Sequence, residues 1–274
     1  MNRNAREESD MDLQILKDTP PWEWPNNAGK LLLEVLRDDR ATGPDRLLAA
    51  ELAGDFTVIN DELVSALLSI LRNDGEPDKL RGQAAISLGP ALEDADTMGF
   101  EDPEDVRPIT EQTFRTIQKS LRTLYMDASV PQEVRRRILE GSVRAQEDWH
   151  RDAIRAAYAS GDERWRLTAV FCMQYVRGFH AQILDALNSE DPEIHYEAVC
   201  AAGNWAIDAA WAHIAALLRP PTRNKPLLLA AIDAVANIRP HEASDILSGL
   251  ANSSDEDVAD AVYEALTMAD ATGS

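Results

Sequence analysis

The sequence predicts an all-α chain built as a right-handed α-solenoid, a superhelix of antiparallel helix pairs. Three observations predict it. A short pattern recurs along the chain with its apolar anchors at 165, 194, 227 and 258, spaced 29, 33 and 31 residues apart. Hydrophobic residues are 45% of the sequence but aromatics only 6%, so the apolar content is mostly Ala, Leu, Val and Ile, which suit helix-on-helix packing. The 274 residues also exceed the usual compact domain, and a repeat that grows its core in one dimension resolves that excess.

Each copy of the pattern opens with Asp or Asn, places an apolar anchor three residues later, and adds small or apolar residues four and five further on. Asp162 leads to Trp165 and Ala169-Val170, Asp191 to Ile194 and Ala198-Val199, Asn224 to Leu227 and Ala231-Ile232, and Asp255 to Val258 and Val262-Tyr263. A short carboxylate or amide at the first place can accept from the free N–H groups of a helix start, and Pro192 and Pro226 suit a first turn. Anchor, plus four, plus five and plus eight share one helical face, and its small side chains admit a close neighbour. A second periodic segment precedes each copy, carrying Ile154, Ile183, Ile214 and Ile246, with Gly161, Pro220-Pro221 and Ser253-Ser254 as punctuation.

Earlier copies begin at Pro77, at Pro131 and, more degenerately, at Pro44-Asp45. Segments at about 60–73 and 110–126 are expected to supply second helices for the pairs begun at 44 and 77. Six to seven pairs result. The run Leu80-Arg81, Ala84-Ala85 and Leu88-Gly89 resembles the short HEAT repeat, the variety similar to that of the phycobilin lyases, and the resemblance covers about residues 28–270. The Arg that follows the anchor is present as Arg81, Arg135 and Arg166, becomes His195, and is lost at Leu228 and Ala259.

As domains, the sequence suggests a disordered tail over 1–19, one continuous solenoid over 20–270 and a short tail at 271–274. An acidic insertion at about 90–109 breaks the period, since anchors 80 and 134 stand 54 residues apart; a projecting loop is expected there. Within it Asp94, Asp96 and Asp105 form a weak candidate for a cation loop, with Met98 at a ligand position and no Glu at the last. Pro20-Pro-Trp22-Glu-Trp24-Pro25 is expected to cap the first repeat with both indoles.

The charge excludes more than it assigns. With 27 Lys+Arg against 48 Asp+Glu the net charge is -21, a field that repels phosphate backbones and anionic membranes. Residues 131–180, however, hold nine Arg against seven acids. The expected function is therefore a non-enzymatic protein-binding scaffold or adaptor, holding a protein or peptide, possibly basic, along its concave face. Its partner-binding residues are expected to be Arg135, Arg136, Arg137, Arg144, Trp149, Arg151, Arg155, Trp205 and Trp211. A nucleic-acid or phosphate groove along the Arg-rich strip is the first alternative, and lyase-like action on a tetrapyrrole or other small ligand the second.

No catalytic constellation is legible, so neither an enzyme nor a cofactor is expected. His150, His180, His195, His213 and His241 show no metal-ligand spacing. The deoxyhypusine hydroxylases, HEAT proteins that build a di-iron site from repeated His-Glu dipeptides, are matched only at His241-Glu242, so their activity is not expected. Cys172 and Cys200 fall at apolar helical positions and are expected to be buried free thiols. The lack of an apolar leader or spanning segment points to a cytoplasmic location.

Overall fold

The computed structural model describes residues 13–101, 107–219 and 224–272, and among these every regular element is a helix. The chain clusters into two compact units, residues 1–147 and 148–274. Each is a HEAT-like α-solenoid stack.

The first unit contains α1 (Leu13–Asp18), α2 (Ala28–Arg37), α3 (Gly43–Leu52), α4 (Asp61–Arg72), α5 (Asp78–Ser87), α6 (Gly89–Met98), α7 (Glu111–Met126) and α8 (Gln132–Ser142). The pairs are α2/α3, α4/α5 and α7/α8, each joined by a short turn, with α3, α5 and α8 packed in sequence as one layer. This corrects the expected pairing. Residues 61–72 precede their partner at 78–87 rather than follow one begun at 44, because the tight turn over 73–77 folds α5 directly back on α4.

The second unit contains α9 (Asp148–Tyr158), α10 (Glu163–Cys172), α11 (His180–Ala186), α12 (Pro192–Asn204), α13 (Trp211–Leu217), α14 (Lys225–Ile238), α15 (Pro240–Leu247) and α16 (Glu256–Thr272). These form four pairs, and α10, α12, α14 and α16 pack consecutively. Their starts are those the sequence marks. Asp162 accepts from the amides of Arg164 and Trp165, Asp191 from Glu193 and Ile194, and Asn224 from Leu227. The seam is the expected one: Ala169, Val170, Met173, Ala198, Val199, Ala202, Ala231, Ile232 and Val235 are fully buried. Glycine lets this layer close up. A Cβ on Gly203 would stand 2.9 Å from the Ala234 backbone, and in the first unit one on Gly141 would stand 2.3 Å from the Ala85 carbonyl oxygen.

The arginine after the anchor has a structural task in the first unit. Arg46 donates to the Leu36 carbonyl (3.4 Å), Arg81 to that of Leu71 (3.1 Å) and Arg135 to that of Tyr125 (2.7 Å), each ten residues back in the last turn of the pair's first helix. A guanidinium there satisfies a free carbonyl and sits at the negative end of the helix dipole. The first copy is thus in a different register from the one suggested by Pro44-Asp45: Thr42 is the cap, accepting from the Asp45 amide, and Arg46 is the landmark arginine. The second unit uses other contacts. Arg166 lies over the Tyr158 ring and pairs with Asp185, and His195 turns to His213.

Two further expectations change. Residues 89–98 of the insertion form α6, with Ala91, Leu92 and Ala95 buried, so this part is a packed helix rather than a loop. Residues 13–18 of the expected tail are also helical, with Leu13 and Leu16 buried. Of the two N-terminal indoles, Trp24 closes the end of α1, its Nε1 donating to the carbonyls of Leu16 (2.8 Å) and Thr19 (2.9 Å). Trp22 stands 79% exposed.

Candidate functional site

The residues expected to bind a partner fall in both units. In the first, Arg136 is 7% exposed and pairs with Glu133 and Glu140, while Arg137 bridges the same two carboxylates. Arg135 lies over the Tyr125 ring, and Arg144 reaches Glu93 of α6. In the second, Trp149 is 7% exposed and stacks against the buried His150, and Arg155 pairs with Asp152. Arg151 approaches the Arg177 carbonyl at 3.5 Å. The expectation is corrected for Arg136 and Trp149, whose burial removes them from contact with a partner.

Trp205 and Trp211 are also engaged. The Trp205 Nε1 donates to the Met173 carbonyl at 2.6 Å, and Arg177 lies over its ring, 5.0 Å from the centroid. Arg239 lies over Trp211 in the same way at 5.2 Å, and pairs with Asp208 and Glu242. Cation–π contact occupies one face of each indole.

Two residues of the weak cation-loop candidate lie on a helix rather than in a loop. Asp94 and Asp96 lie on helical α6, Asp94 facing Arg107 at 3.9 Å, and Asp105 lies outside the described residues. Among the described residues no group of three or more His, Cys, Asp or Glu could hold a metal ion. His241 stands exposed at the start of α15.

What the fold does bring together is a polar face on the layer of α10, α12 and α14. From α12 it takes the neighbours Tyr196 and Glu197 and, one turn further on, Cys200. Gln174, just beyond α10, donates to Glu197, and Phe171 meets Tyr175 with ring centroids 5.6 Å apart. Asp233 and Asn237 follow on α14, joined by a hydrogen bond of 3.2 Å. Cys200 is half-buried on this face rather than sealed in the core; Cys172 is buried as expected.

The electrostatics of the face are consistently negative. Burial, then Glu197 and more weakly Asp233, push the Cys200 thiol up to about 11. The charge that Cys200 would carry is the largest influence on Tyr196, followed by burial, the hydrogen bond its hydroxyl donates to Cys200 and the charge of Glu197, and together they raise it to about 12. Loss of hydration raises the Asp233 carboxyl, against the opposing hydrogen bond from Asn237. Both Tyr196 and Cys200 therefore keep their protons at neutral pH, and the thiol is no nucleophile there. Among the described residues no Lys or Arg pairs with Asp233. The sequence does not mark these groups because Glu197 and Asp233 are 36 positions apart and come near Cys200 only through the packing of α12 on α14.

No protein-family model matches this chain, and no curated protein does. Among solved structures it is similar to human deoxyhypusine hydroxylase in complex with glycerol, at 14% identity and a TM-score of 0.41, over 98% of this chain and 99% of that one. That protein is an enzyme. The finding overturns the expectations of a non-enzymatic scaffold or adaptor and of a chain without catalytic activity. At this identity no activity passes from that enzyme to this chain. Among the described residues no helix is long and apolar enough to cross a membrane.

Proposed function

We propose that the second unit recognises a positively charged segment of a partner protein on the face of α10, α12 and α14. The observation that carries this reading is the placing of two carboxylates, Glu197 of α12 and Asp233 of α14, near enough to Cys200 for the charge of each to raise its thiol, on a face where no Lys or Arg among the described residues pairs with Asp233. Phe171, Tyr175 and Tyr196 add aromatic surface to which a lysine or arginine side chain is attracted. The net charge of -21 draws such a partner from a distance. We also infer that the repeats belong to the short, phycobilin-lyase-like variety, supported by Leu80-Arg81, Ala84-Ala85 and Leu88-Gly89.

The test is titration of the whole chain with a fluorescent lysine- and arginine-rich peptide and with its glutamate-rich counterpart. The basic peptide is expected to bind, with affinity falling as salt rises, and the acidic one not to bind. A Glu197→Gln, Asp233→Asn double variant is expected to weaken binding by about tenfold, roughly 1.4 kcal/mol. Unchanged affinity in that variant, with the fold intact by circular dichroism, overturns the assignment of this face.

A further inference from the structure

His195, in the first turn of α12, and His213, in α13, meet with Nε2 atoms 2.9 Å apart and rings nearly perpendicular at 80°. Both rings are half-buried. At this separation the two nitrogens share one hydrogen, so one ring carries it on Nε2 and the other accepts through its Nε2 lone pair. The accepting ring is then protonated on Nδ1, and the donating ring has its lone pair on Nδ1.

Several charged groups on the packed elements have partners of their own, while Glu193 on α12 and Asp233 on α14 also lie on the elements that meet here. Arg166 of α10 and Asp185 of α11 pair with each other. On α12, Asp191 caps the helix and Glu197 accepts from Gln174. Before α13, Asp208 holds Arg239, and Arg219 stands past the helix end; on α14, Lys225 holds Asp255 and Asp257. Among the described residues no carboxylate pairs with either imidazole.

We propose that His195 and His213 form a pH-sensitive clasp between α12 and α13 that holds at neutral pH and opens in mild acid. The first proton enters at Nδ1 of the donating ring and strengthens the bond, since an imidazolium N–H is a better donor. A second proton can enter only at Nε2 of the accepting ring. It removes the acceptor, ends the hydrogen bond and places two like charges side by side. The folded chain thus takes up one proton readily and the second reluctantly, whereas the unfolded chain takes both near the ordinary histidine value. The loss of hydration that lowers both rings acts in the same direction, joined at His195 by the charge of His213. Because the unfolded state binds more protons, stability is intact above about pH 6.5 and declines as pH falls below it. This inference does not depend on the cation-binding reading.

The test follows urea unfolding of the whole chain by tryptophan fluorescence from pH 7.5 to 4.5. Trp205 and Trp211 lie between the two histidines in sequence and report on this part of the chain. The unfolding equilibrium is expected to rise by about tenfold per pH unit more steeply in the wild type than in His213→Gln, whose amide can still hydrogen-bond but cannot be charged. Equal steepness in the two proteins overturns the proposal. Should the variant fail to fold, histidine ring NMR of the wild type decides. Two well-separated titration steps for His195 and His213 support the clasp, and a common step near 6.5 overturns it.

Discussion

Replacing Gly141 by alanine is expected to destabilise the first unit by more than about 3 kcal/mol. The added methyl would sit 2.3 Å from the Ala85 carbonyl oxygen and 3.0 Å from its carbon. Both are backbone atoms of α5, so no rotamer change relieves the overlap, and α5 and α8 must separate along their closest line of contact. A control isolates the cause. Gly43 has nothing within 4 Å of its would-be Cβ, and Gly43→Ala is expected to be neutral or to stabilise by some tenths of a kcal/mol through the unfolded chain. Urea midpoints measured by circular dichroism compare the two. A Gly141→Ala protein as stable as the wild type would mean that α5 and α8 are not this close.

The other large effect is expected at Arg81. Its side chain is 5% exposed, its Nε donates to the Leu71 carbonyl, and Asp78 lies 4.0 Å from its Nη1. Arg81→Met keeps much of the apolar stem but leaves a buried carbonyl without its donor, a loss of about 2–4 kcal/mol. Lysine should recover only part of this, because it brings a charge without the planar N–H fork. The same change at half-exposed Arg135, where water can reach the Tyr125 carbonyl, should be milder, about 1 kcal/mol. Equal losses at the two positions would show that the packing of the stems, and not the hydrogen bond, sets the stability.

The helix starts and the seam were legible because they depend on chemistry local to the chain. Asp162, Asp191 and Asn224 announce caps, and the 3.6-residue period then sorts buried from exposed positions. The first copy was read out of register because Pro44-Asp45 imitates a helix opening, while the actual cap, Thr42, precedes a glycine. Helix α6 was hidden by Glu93, Asp94 and Asp96, whose charges mask the spacing of Ala91, Leu92 and Ala95. The candidate face could not be found by charge counting. Residues 131–180 are rich in arginine, yet Arg136, Arg137, Arg144, Arg155 and Arg166 all pair with acids. The cluster that does concentrate unusual groups is assembled from helices distant in sequence, and a list of residue types carries no record of which helices become neighbours.

The arginine-to-carbonyl bonds also bear on how the chain acquires its structure. Each spans only ten residues, closing a hairpin on itself, and the link from one pair to the next, as in Arg46 with Glu76, spans 30. Contacts so close along the chain incur little loop-closure entropy, so a pair can form without waiting for remote segments. Folding of the first unit can therefore begin at any of its hairpins and spread to the neighbours. During synthesis, α2 and α3 can already be docked while the residues of α7 are still unmade.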